Sequence, residues 1–342
     1  MIKNPSKLIF IFSIFLGTLI TISSNSWLGV WIGLEINLLS FIPLIIDLNN
    51  LISTEASLKY FLTQAFASSL LLFSIILFII LNNFQYNLLN IYITILIALP
   101  LIIKRGIAPF HFWFPNVIEG ISWSIRLILI TWQKIAPIII ISYLTNFNFF
   151  ILFIILSASV GAIGGLNQTS LRKIIAFSSI NHLGWIMSAI LFNEYLWLVY
   201  FLLYSFITAG LVFILNQFNL FYINQIFSLF TNSSILKTNF IVSFLSLAGL
   251  PPFLGFLPKW LVIQSLISIN QYMLIIVLII ISLITLYFYL RICYSTLILN
   301  YTETSWNFML NFKTKSYFLN INFLFLSING LFIFISLIFN FY

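Results

Sequence analysis

The chain has 342 residues, of which 62% are hydrophobic and only 6% charged, which excludes a water-soluble fold and makes the class a polytopic, all-α membrane protein. Its 14 Lys and Arg against 6 Asp and Glu are scattered singly, which excludes a nucleic-acid face and reads as topology information. The lone Cys293 excludes an internal disulfide framework and a four-cysteine iron–sulfur cluster, and two histidines do not make a bis-haem or zinc site. Heavy use of Phe, Ile, Asn and Tyr fits an AT-rich gene, as in many organelle genomes.

About eleven spanning helices are predicted, each near the roughly 20 residues that a bilayer requires. In order they are Leu8–Ser23, Trp27–Ile46, Leu58–Leu81, Ile91–Phe114, Ser122–Leu144, Phe149–Leu166, Ile174–Leu191, Leu196–Leu215, Asn239–Leu261, Tyr272–Ile292 and Phe323–Phe341. Lys3 and Lys7 before the first span resemble a secretory signal. No small-residue cleavage site follows, so a retained helix is expected. Ser53-Thr54-Glu55 reads as an N-cap with a dipole-matched acid ahead of the third span. The gap after Cys293 is too short for a nucleotide-binding domain, so residues 1–342 are expected to form a single membrane domain.

The fourth span carries the main functional signal. The apolar run from Ile91 to Ile103 rises only about 20 Å as a helix, against roughly 30 Å of hydrocarbon. To cross, the segment must take Lys104 inside the membrane. Gly106 and Pro109 then break the helix beside that lysine. A costly intramembrane charge next to a broken helix marks an ion pathway. Lys259 follows Gly249-Leu250-Pro251-Pro252-Phe253-Leu254-Gly255-Phe256-Leu257-Pro258 and makes a second discontinuous helix. Two broken helices, each with one lysine, predict related structural repeats around a midplane pathway.

Charge sets the orientation. With the N-terminus on one side and the spans alternating, Lys3, Lys7, Lys59, Arg172, Lys173, Lys237, Arg291, Lys313 and Lys315 all fall on that side. The opposite loops carry almost nothing except Glu194. The basic side is the cytoplasm or, for a mitochondrial product, the matrix, and an odd number of spans puts the C-terminus opposite.

Glu35, Lys104, Lys134 and Lys259 are the charges that no loop accommodates. Structural pairing or snorkelling is the alternative to a functional role, most open for Lys259. One acid does not neutralise three lysines, and lysine titrates when desolvated whereas arginine stays charged. A contact between Glu35 and Lys104, made and broken, would switch whether Lys104 holds its proton. Arg105 and Arg126 read as structural or interfacial, Arg105 hydrating a vestibule or pairing with Glu119. His182 lies on a polar stripe with Ser178 and Trp185, as a packing histidine or a proton relay. His111 is expected to be near an interface and wet. Ser157, Gly161 and Gly165, four apart, predict close helix packing, and Trp27, Trp113 and Trp123 suit interfacial belts.

Trp31-Ile32-Gly33-Leu34-Glu35-Ile36-Asn37, Lys104 to Pro115, Thr131-Trp132-Gln133-Lys134, Asn181-His182-Leu183-Gly184-Trp185 and Gly249 to Trp260 stand in one order. In this the chain resembles the mitochondrial NADH dehydrogenase subunit 2 family, especially insect forms, over nearly its whole length. That family belongs to respiratory complex I and is similar to cation/proton antiporter subunits. The resemblance implies an antiporter-like fold of eleven spans in the mitochondrial inner membrane, N-terminus in the matrix and C-terminus in the intermembrane space. It implies that Glu35 partners Lys104, that Lys134 connects two half-channels, and that Lys259 belongs to the second broken helix. His182 falls on the central polar axis, and Arg105 departs from the small or apolar residue usual there. The implied activity is proton translocation coupled to NADH oxidation and quinone reduction in partner subunits; a stand-alone monovalent cation/proton antiporter is the alternative. No cofactor is expected in this chain, with flavin, iron–sulfur clusters and ubiquinone in partners. Expected partners are other complex I subunits, especially membrane-arm subunits 4 and 4L, and a bilayer containing cardiolipin, with no nucleic acid.

Overall fold

The inverted burial pattern organises the molecule. Ile9, Phe12, Leu19, Leu62, Phe66, Met273 and Leu283 are exposed, whereas Lys104, Arg105, Arg126, Lys134, His182 and Lys259 are buried. Apolar side chains outside and charges inside are what hydrocarbon as solvent selects. The computed structural model describes residues 5–47, 50–82, 87–144, 147–192, 195–229, 234–297 and 322–331, which are helical and divide into two compact units, Met1–Ser157 and Ala158–Tyr342.

In the first unit, α1 (Pro5–Ser23), α2 (Trp27–Ile45) and α3 (Leu51–Asn82) pack in sequence. They are followed by α4 (Asn87–Arg105), α5 (Trp113–Gly120), α6 (Trp123–Ile130) and α7 (Trp132–Ser142). α3 packs on both α4 and α5, and α7 packs on α1, α4 and α6. α8 (Phe147–Gly165) leads into the second unit of α9 (Leu171–Ile190), α10 (Leu196–Phe218), α11 (Asn224–Leu229), α12 (Ser234–Ala248), α13 (Phe256–Ser268) and α14 (Tyr272–Leu297). A short α15 (Asn322–Leu331) closes the described residues. Here α10 packs on α9, α12 and α13, and α14 packs on α12 and α13.

Among the described residues six segments are long and apolar enough to cross a membrane, lying in α1, α2, α3, α6 with α7, α10 and α14. α9 has the length for a span but a polar sequence, because it is buried without a gap from Ser178 to Ile190 and never meets lipid. The expected eleventh span, Phe323–Phe341, runs past residue 331 and lies partly outside the described residues, as do Lys3, Glu194, Lys313 and Lys315.

Three local expectations change. The third helix begins at Leu51, so Ser53 is already inside it; Asn50 Oδ1 accepts the Ile52 N–H, while Ser53 Oγ bonds back to the Asp47 backbone. Glu55 pairs with Lys59 at 2.6 Å, one turn on. The fifth span is not continuous: α6 ends at Ile130 and α7 begins at Trp132, with Thr131 (φ −104°, ψ −74°) between them. Trp123 is buried rather than interfacial, beneath the Arg126 guanidinium 4.0 Å from its ring. The small-residue spacing on α8 holds, since a Cβ at Gly161 would reach the α9 backbone at Asn181.

Candidate functional site: two broken helices and the cavity beside the first

The first break is a helix stop built inside the protein. At the end of α4, Gly106 takes φ +69°, its N–H bonding to Ile103 O at 3.0 Å and the Ile107 N–H to Ile102 O at 3.3 Å. This paired arrangement around a left-handed glycine is the Schellman motif. Side chains from outside the helix add further donors to its last carbonyls. Trp113 Nε1 donates to Ile103 O (3.2 Å) and Gln64 Nε2, reaching from α3, donates to Lys104 O (3.1 Å). Lys104 thus sits in the last turn of α4, where the carbonyl end of the helix favours a cation. Its Nζ is buried and has no hydrogen-bond partner in the protein.

Lys134 lies in the first turn of α7, created by the break at Thr131, where the helix end is positive and disfavours a cation. Its Nζ also lacks a hydrogen-bond partner and stands 4.8 Å from the centre of the Phe114 ring. Lys104 and Lys134 line one cavity, together with Arg105, Asn37, Tyr60, Gln64, Trp113, Phe114 and Gln133. It has about 30 Å³ of room for water centres, enough for one or two molecules. Two titratable amines on one water-sized cavity, one at the negative end of a helix and one at the positive end, can exchange a proton through water.

The second break repeats the stop. α12 ends at Ala248, Gly249 takes φ +81°, its N–H bonds to Ser246 O (3.0 Å), and the Leu250 N–H bonds to Leu245 O (3.4 Å). α13 then starts, and Lys259 in its second turn reaches back so that Nζ donates to Ala248 O at 2.7 Å. The same Nζ lies 5.6 Å from the centre of the Trp185 ring of α9. One turn earlier on α9, His182 Nδ1 and the Tyr200 hydroxyl are 2.9 Å apart, and the imidazole lies beside the Tyr204 ring.

The structure therefore brings Lys104 and Lys134 to one cavity, and sets Lys259 beside Trp185 and His182 beside Tyr200 and Tyr204. Glu35 is half-buried on α2 within electrostatic reach of Lys104. Among the described residues no ion pair joins Glu35 to Lys104, so the two are not in direct contact. Arg105 is not interfacial. It is 2% exposed and donates through Nη2 to Lys134 O at 3.4 Å, because the end of α4 lies within the unit rather than at a membrane surface. Arg126 is structural, donating to Ile118 O and Ile121 O at the carbonyl end of α5. His111 is 8% exposed rather than wet, with Nδ1 against Pro109 O. Gln64 and Tyr200 escaped the sequence reading, and Asn37 and Gln133 stood in its motifs without a role. Their signal was a polar or hydroxyl group in an apolar run beside, or one helix away from, a charged residue. Among the described residues no group of three or more His, Cys, Asp or Glu is placed to hold a metal.

Residues 24–285 match the family described as NADH:quinone oxidoreductase/Mrp antiporter, transmembrane, and residues 286–339 match the NADH dehydrogenase subunit 2 C-terminus. The chain is 56% identical over 324 residues to NADH-ubiquinone oxidoreductase chain 2 of Anopheles gambiae, covering 94% of this chain and 95% of that one. It is 42% identical to the chain of the same name from Lemur catta over 328 residues, 92% of this chain and 93% of that one. Its fold is similar to a chain of respiratory complex I from Thermus thermophilus, with TM-score 0.83 at 23% identity, covering 96% of this chain and 79% of that one. A chain of the Mrp complex from Dietzia gives TM-score 0.73 at 18% identity, over 84% and 59%.

Proposed function

Because the chain belongs to the NADH-ubiquinone oxidoreductase chain 2 family, we propose that it is a membrane-arm subunit of NADH:ubiquinone oxidoreductase that translocates protons across the mitochondrial inner membrane. The observation that carries this reading is the cavity on which the partnerless amines of Lys104 and Lys134 meet. In the proposed relay Glu35, Lys104, Lys134 and Lys259 pass protons in that order, with His182 on the same polar axis. Glu35 acts on Lys104 through the field rather than by contact, which a low-dielectric interior transmits well.

The whole chain, residues 1–342, acts as one antiporter-like domain with its N-terminus in the matrix and its C-terminus in the intermembrane space. Partner subunits, among them membrane-arm subunits 4 and 4L, carry the redox centres or the next steps of the relay, and cardiolipin is among the surrounding lipids. Flavin, iron–sulfur clusters and ubiquinone belong to those partners, and conformational or electrostatic signals from them drive the lysines.

Replacing Lys104 or Lys134 by alanine in the assembled complex is expected to lower protons moved per electron while the complex still assembles. Unaltered pumping per electron would count against the relay. The match to an Mrp antiporter family supports a second reading, a stand-alone monovalent cation/proton antiporter. Co-purification with flavin and iron–sulfur subunits favours the first reading, and autonomous exchange in vesicles the second.

A further inference from the structure

The cavity in the first unit carries more positive charge than two titrating lysines require. Lys104, Arg105 and Lys134 all line it, at 8%, 2% and 3% exposure, and the first turn of α7 adds the positive end of a helix. Its described lining contains no carboxylate, and Glu35, which acts on Lys104 from outside that lining, is one negative charge against three cations. The lysines can discharge by losing a proton, but an arginine keeps its charge in proteins. A buried charge with no counter-charge costs several kcal/mol by the usual order of magnitude. The long Arg105 contact to the Lys134 carbonyl supplies a dipole, not a counter-charge.

The hydrogen-bonding inventory points the same way. Lys104 Nζ, Lys134 Nζ, Arg105 Nε and Nη1, and Gln133 Nε2 are buried without partners, and the matching partnerless acceptor on the lining is Asn37 Oδ1. Water entering such a site brings two donors of its own for every molecule and no charge. A group that only accepts, and is itself negative, satisfies the donors and the arginine together. The space, about 30 Å³, accommodates an ion little larger than water.

We propose that this cavity binds a small monovalent anion of halide size, held by Arg105 and by the ammonium groups of Lys104 and Lys134. The anion supplies counter-charge under which both lysines can be protonated. Binding depends on these side chains and stands apart from whether they pass protons to Lys259.

The test uses the assembled complex, carried through NADH-driven turnover and purification in bromide as the sole halide, and in parallel in gluconate. Bromide scatters more strongly than water. A high-resolution map in bromide is expected to show a peak among Lys104, Arg105 and Lys134 stronger than the ordered waters, falling to water strength in gluconate. Arg105→Gln is expected to lose the bromide peak, and Arg105→Lys, which keeps a cation, to retain it. Should Arg105→Gln fail to assemble, the two media on the unaltered complex decide alone. Water-strength density in both media overturns the proposal, as does a bromide peak that survives Arg105→Gln. A bromide peak in a complex whose pumping ignores Lys104→Ala leaves the anion site standing and removes the relay.

Discussion

The breaks after α4 and after α12 use one stop and leave their lysines in opposite conditions. Both end on a left-handed glycine with the same pair of backbone bonds, Gly106 with Ile107 and Gly249 with Leu250. In the first, the lysine belongs to the ending helix, and its carbonyl is taken by Gln64. Its amine is left with no hydrogen-bond partner, facing a cavity shared with a second lysine and an arginine. In the second, the lysine comes from the helix that follows and spends itself on the orphan carbonyl of Ala248. A broken helix thus creates a place for a buried cation, but which side of the break donates the lysine decides whether it is poised or tied.

Perturbing the second break is expected to do the most damage. A Cβ at Gly255 would overlap the Ser246 carbonyl, so Gly255→Ala forces the two half-helices apart at a cost of about 3 kcal/mol, read as lost thermal stability of the assembled complex. Next come the two stop glycines. Gly106→Ala places a residue with φ > 0 at a cost of about 1 kcal/mol, its Cβ 3.1 Å from Phe114 Cβ. Gly249→Ala adds a collision with Lys259 Cδ at 2.8 Å, so it should destabilise more and also weaken the lysine's grip on Ala248. Equal effects at both glycines would mean that the two lysines are not held differently. Gln64→Leu, which strands the Lys104 carbonyl, is expected to cost about as much as Gly106→Ala, about 1 kcal/mol, seen as a lowered melting midpoint with assembly intact.

The two breaks were legible because each combined a span too short or too interrupted with glycine, proline and a lysine. The break at Thr131 was not, since no glycine marks it and it lies inside what reads as one apolar helix. Arg105 and His111 were read as watery because they stand at a helix end in the sequence. A helix end at a break is not the end of a span, and both are covered by the packing around α4 and α5. The separation of Glu35 from Lys104 was equally hidden, because residue types on two helices fix a neighbourhood but not a contact. Asn37, Gln64 and Gln133 were passed over for a related reason. A neutral amide carries no electrostatic warning, and its weight becomes visible only when its partners, or their lack, are seen.

The most direct test of the claim that Lys104 works by titrating is Lys104→Arg in the assembled complex, with protons moved per electron measured alongside NADH oxidation. Arginine keeps the cation at the end of α4 but does not release its proton. The account predicts that assembly and electron transfer persist while proton movement per electron falls clearly below that of the unaltered complex. Full pumping with arginine at position 104 would show that a fixed positive charge suffices and would contradict the account.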